Sequence, residues 1–153
     1  MRLKHAAITL AIVSSFAAGA LVSPFLPHAM PSAHAAAAPM TPHVIDLAAM
    51  KNEDLPLRPN SQLRTLTVFS TADGSIALQS GTVPKHTHQQ NDEVQYILEG
   101  SGSMWVGSER KEFKPGSLIV IPRGSAHGGA TASYRALAIK LPLPVAGDTQ
   151  QID

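Results

Sequence analysis

Between Leu63 and Leu141 the chain is broken by turn signals that start 7 to 17 residues apart, and this punctuation constrains the fold more than any other feature. The breaks fall at Ala72-Asp73-Gly74, residues 89–92, Gly100-Ser101-Gly102, Gly107-Ser108, Pro115-Gly116 and Pro122-Arg123-Gly124. Gly, Pro, Asn, Asp and Ser recur there because each favours a tight turn for its own steric or hydrogen-bonding reason. The segments left between the breaks are strand-length and too short for independent helices. "LRTLTVF" alternates apolar and polar residues with β-branched enrichment, and "SIALQSG" follows it. "VPKHTH" is a third strand with Pro84 near its start, and residues 93–98 a fourth. "SMWVG", "RKEF" and "YRALAIKL" complete the alternating set, while "SLIVI" lacks alternation and reads as a strand buried on both faces. Seven or so short strands without a long helix make an all-β fold, either a sandwich or a small barrel.

The two ends read differently. Arg2 and Lys4 precede the charge-free apolar run from Ala6 to Val22, then Pro24 and Pro27, then the small residues Ala33-His34-Ala35. This is the pattern of a signal peptide over residues 1–35, cleaved after Ala35, and it implies a periplasmic or secreted protein of bacterial type. The alternative is an uncleaved membrane anchor, but the 17-residue run is short for spanning a bilayer, so cleavage is expected and with it no stable membrane insertion. Residues 36–62 read as a leader with a short strand or helical turn at 43–50, and residues 145–153 as a flexible tail beyond Pro142 and Pro144.

Removing 35 of the 153 residues leaves 118, enough for one core. Without Arg2 and Lys4, 10 basic residues face 11 acidic ones, so no basic surface remains to neutralise a row of phosphates and nucleic acid is not an expected partner. The absence of cysteine removes thiolate metal sites and cysteine nucleophiles together.

Chemistry concentrates in "KHTHQQNDE" and "PRGSAH". On a strand His86 and His88 share a face, and the turn at 89–92 folds the next strand back so that Glu93 reaches the same side. His127 emerges just after the Pro122-Arg123-Gly124 turn, followed by Gly128 and Gly129, which carry no side chains to crowd it. Three imidazoles and a carboxylate suit one divalent transition metal ion, Fe, Mn, Cu, Ni, Co or Zn, and leave positions open for water or substrate. The competing reading is a pair of exposed strand histidines and a surface carboxylate. Gln95 shares the face of Glu93 and either supports that ligand, contacts a substrate or fills the barrel mouth. Lys85 is expected to point away into solvent, Trp105 to pack in the core or an interface, and Arg123 to be an ordinary turn arginine. Tyr96, Val94 and Leu98 lie opposite Glu93 and are expected to pack a second sheet or a partner subunit. His43 stands alone, and nothing marks Tyr134 or Arg135. No Ser/His/Asp arrangement and no phosphate-cradling glycine loop is present.

Taken together, Gly81, His86, His88, Glu93 and Gly100, followed by Gly116, Pro122, Gly124 and His127, resemble the two motifs of the cupins. Fifteen residues separate the motifs. Four residues where the family has five separate Gly81 from His86, which hints at an altered strand entry, and Thr131 stands where the family has asparagine. The resemblance implies a small double-stranded β-helix, or jelly-roll, barrel over residues 63–144, with His86, His88, Glu93 and His127 as metal ligands. It further implies a small-molecule substrate and a homodimer formed through an exposed sheet face. Family frequency favours a metal-dependent dioxygenase. A lyase or isomerase using the ion as Lewis acid is an alternative, as is a non-catalytic module binding a sugar or metabolite.

Overall fold

The computed structural model describes residues 41–152; the expected signal peptide, residues 1–35, and the first part of the leader lie outside them. The described chain opens with a turn at 47–49 and a single 3-10 turn, Asn52–Asp54. Ten strands follow: β1 Arg64–Thr71, β2 Gly74–Gly81, β3 His86–His88, β4 Asp92–Glu99, β5 Gly102–Val106, β6 Glu109–Phe113, β7 Leu118–Ile121, β8 His127–Gly128, β9 Tyr134–Leu141 and β10 Thr149–Gln151. They form two five-stranded antiparallel sheets, ordered β1-β2-β9-β4-β7 and β10-β3-β8-β5-β6. Sequence-adjacent strands separate into different sheets at β2/β3, β3/β4 and β4/β5, the interleaving that makes a double-stranded β-helix and not a meander.

Between the sheets lies a cluster of Ile97, Met104, Phe113, Tyr134 and Ala136, with Val106, Ile119 and Ala130 packed against it. Alternation along each strand supplies these residues: β4 turns Glu93, Gln95 and Ile97 to the buried side and exposes Tyr96. Outside, Arg135 holds the leader to β9. Its guanidinium donates to the carbonyls of Leu47 and Met50 and to Asn52 Oδ1, at 2.6–2.9 Å.

Three expectations are corrected. "SLIVI" is not buried on both faces: β7 is an edge strand with Leu118 63% and Val120 60% exposed, while Ile121 points inward and Ile119 packs on the core. An apolar residue on an open sheet face leaves the same sequence signal as one under a second layer. The tail beyond 145 is not loose, because residues 149–151 pair with β3 in the register Thr149↔His88, Gln150↔Thr87, Gln151↔His86. The expected seven or so strands number ten among the described residues, and one of those not marked, β8, carries His127.

Candidate metal centre

The sequence His-Thr-His is the whole of β3, held between β10 and β8, and His86 pairs with His127 across the ladder. Gly128 makes this approach feasible. It has φ +94°, and a Cβ there would lie 2.7 Å from the Pro84 carbonyl oxygen and 3.2 Å from His86 Nδ1. The three imidazoles are buried with ring centroids 4.1–5.2 Å apart, and one ligand atom from each lies within 4.8 Å of the others.

Hydrogen bonds fix which ring nitrogen each histidine offers. His86 Nδ1 is 2.8 Å from the Pro84 carbonyl oxygen and His127 Nδ1 is 3.1 Å from that of Ser125. A carbonyl only accepts, so both Nδ1 atoms carry hydrogen and both Nε2 atoms present a lone pair. His88 Nδ1 faces Thr149 Oγ1 at 3.3 Å and Asp148 Oδ2 at 3.5 Å, which sets the same tautomer. Asp148 is itself anchored, accepting from the amides of Gln89 and Gln90 and from the side chain of Asn91.

Glu93, 2% exposed, completes the group. Gln95 Nε2 donates to its Oε1 at 2.7 Å, and Tyr134 Oη donates to Gln95 Oε1 at 3.2 Å. Glu93 Oε2 is left 3.2 Å from His88 Nε2, 3.6 Å from His127 Nε2 and 3.2 Å from Lys140 Nζ. Among the described residues, neither Glu93 Oε2 nor His127 Nε2 makes a hydrogen bond. Leaving the buried His127 Nε2 without a donor costs roughly 1–3 kcal/mol, Glu93 Oε2 has the Lys140 ammonium as its ion-pair partner, and a cation placed among these atoms would satisfy both. The donor set thus fits a divalent ion, with the Nε2 atoms of His86, His88 and His127 and the Oε2 atom of Glu93 as the atoms that would hold it. Burial opposes ionisation of Glu93, but the imidazoles of His127 and His88 and the ammonium of Lys140 outweigh it and hold the carboxyl well below its usual range. Burial, followed by the neighbouring His127, lowers His86 to about 4, so its ring is neutral and able to ligate near neutrality. Burial and then the charge of Glu93 push the Tyr134 phenol up, keeping it a hydrogen-bond donor.

A cavity of about 420 Å³ opens over His86, His88 and Glu93, lined also by Arg58, Gln79, Val83, Lys140 and Gln151, while His127 lies buried behind them. Apolar Leu63, Val83 and Pro84 share the lining with convergent polar groups beside the ligand cluster, a combination found in small-molecule sites.

The four expected ligands are therefore brought together, and Gln95 supports Glu93 from behind. Other candidates fall elsewhere. Arg123 is committed to Asp92 through its amide, Nε and Nη2 at 2.7–3.2 Å, lowering the Asp92 carboxyl to about 2. The Lys85 ammonium lies 4.6 Å above the Trp105 ring and so is not a plainly solvated charge, and Arg110 approaches the same half-buried ring. His43 is exposed, its Nδ1 bonded to the Thr41 carbonyl. Thr131 takes over the latch after β8, its Oγ1 accepting from the Ser103 amide while its own amide donates to the Ser103 carbonyl. Sequence reasoning missed Lys140, Asp148 and Tyr134. The inward alternation Tyr134-Ala136-Ala138-Lys140, set antiparallel to Glu93-Gln95-Ile97, was the available signal for two of them.

Residues 75–139 match the cupin domain family Cupin_2, which together with the double-stranded β-helix supports membership of the cupin superfamily. Two curated relatives bracket what that likeness covers. An uncharacterized protein of Methanocaldococcus jannaschii is 38% identical over 58 residues, 38% of this chain and 46% of the relative. Quercetin 2,3-dioxygenase of Bacillus subtilis is 26% identical over 87 residues, 53% of this chain and 26% of that enzyme. The chain spans about half the length of the first two curated relatives it matches, 46% and 51%. Among solved structures, the Streptomyces nucleoside dehydratase Pac13 aligns with a TM-score of 0.57 at 12% identity, covering 67% of this chain and 88% of that one. That likeness is one of fold.

Proposed function

We propose that this is an exported, metal-binding cupin protein that acts as a metal-dependent dioxygenase on a small organic substrate in the periplasm or outside the cell. The observation that carries the reading is the convergence of three histidine rings, each with its Nδ1 facing a backbone or side-chain oxygen, on Glu93 Oε2, with the Lys140 ammonium beside them. When bound, the ion supplies a redox-active centre and Lewis acid at the cavity floor. His86, His88 and His127 are locked in the tautomer that ligates, and Glu93 is fixed by Gln95 and, through it, by Tyr134. The walls of the cavity, from Arg58 to Gln151, bind and orient the substrate and limit water. The partial match to a quercetin dioxygenase favours an oxygenase. Lys140, a proton-bearing group beside the ligands, favours a lyase or isomerase as the second reading. The exposed Leu118 and Val120, on the sheet that also carries Tyr96, support pairing of two copies through this face.

Iron-loaded protein offered a panel of chelating enols and acids is expected to consume O2 in step with substrate loss, and His127→Ala to abolish both. Substrate loss without O2 would replace the oxygenase by the lyase or isomerase, and no turnover with retained ligand binding would leave a binding protein.

A further inference from the structure

Lys140 has no place in the ligand set, yet its Nζ lies 2.8 Å from His88 Nε2 and 3.2 Å from Glu93 Oε2, with the side chain only 16% exposed. The register of β9 puts it there, since Lys140 pairs with Glu93 across the β4/β9 ladder. An ammonium has hydrogens and no lone pair, so it donates to His88 Nε2. That nitrogen has one lone pair, because the ring hydrogen sits on Nδ1 facing Thr149 and Asp148. An ion held by His88 needs the same lone pair. The two cations exclude one another at this atom, and Glu93, once it shares its charge with the ion, is a weaker partner for the ammonium.

Charge balance says what the released lysine meets. With a divalent ion in place, its two charges are matched by Glu93 and by Asp148 behind His88, and Lys140 and Arg58 are left in excess around the cavity they both line. The largely buried Lys140 ammonium, with the exposed Arg58 at the mouth, favours a negative ligand. We infer that Lys140 is the specificity-determining residue of this site: freed from His88 when the ion is held, it anchors an anionic oxygen of the ligand, which is a small chelating carboxylic acid. This rests on the metal centre proposed above.

The test is calorimetry on the full chain loaded with zinc, a redox-silent ion, titrated with pyruvate and with its neutral amide, pyruvamide. Pyruvate is expected to bind about tenfold tighter than the amide, the order of one charge-assisted contact. Lys140→Met should erase that preference at unchanged zinc stoichiometry, and Lys140→Arg should keep it. Zinc itself should bind Lys140→Met as tightly as the wild type, or more tightly, because the competing ammonium is gone. Equal binding of acid and amide by the wild type, or a preference that survives in Lys140→Met, overturns the assignment while leaving the metal centre standing. A wild-type protein that takes up no zinc at all contradicts the metal centre itself, and with it this inference.

Discussion

Two ends of the same pair of strands carry opposite chemistry. On β4 the inward positions run Glu93, Gln95, Ile97, and on β9 the residues paired with them run Lys140, Ala138, Ala136. One end gathers three histidines, a carboxylate and an ammonium, and the other packs Ile97 and Ala136 with Met104, Phe113 and Tyr134. The apolar end contributes stability in proportion to the area it removes from water. The polar end holds the buried acceptor His127 Nε2 without a donor, which a metal-free protein keeps at a cost. Strain and affinity are thus concentrated at one mouth, while the cooperative core beneath keeps the ligands in place. Tyr134 joins the two, its ring packing on Phe113 at 5.1 Å and its hydroxyl reaching Gln95.

If the apolar end carries the fold, Ile97→Ala should cost the most stability, about 2–5 kcal/mol, as a shift in the urea midpoint, while metal stoichiometry in the folded fraction stays unchanged. A loss of metal without loss of stability would break the division. Acid should act on the polar end instead. Burial holds His86 at about 4 in the folded protein against its ordinary 6.5, so the unfolded chain binds the proton first as pH falls. Stability of the metal-free protein is therefore full above 6.5 and lost progressively down to about 4, by up to roughly 3 kcal/mol. Thermal melts across that range should show the loss, and zinc should oppose it.

Smaller effects sharpen the boundary. Asp148→Asn weakens the orientation of His88 and should lower zinc affinity by about 10–100-fold, measured by competition with a chelator, with little change in the core. Least of all, Thr131→Val removes the acceptor for the Ser103 amide and should cost about 1 kcal/mol with no effect on metal affinity. A large metal effect there would mean that the latch after β8 positions His127.

Much of this was legible from sequence because the signals are local. Turn residues marked eight of the ten strands, and period two put His86 with His88 and Glu93 with Gln95. Local signals fail where pairing is remote. The β10 segment is polar and follows two prolines, so nothing in its composition marks it as a strand, and only its register against β3 places Asp148 and Thr149 behind His88. Lys140 likewise looks like the exposed end of a strand until β9 is aligned with β4. "SLIVI" misled because hydrophobicity reports an apolar surface, covered or not.

The most direct test of the central claim is elemental analysis of the protein purified without chelators. The account expects about one transition metal ion per chain, lost in His88→Ala. No stoichiometric metal in the wild type, or equal metal in the variant, would contradict it.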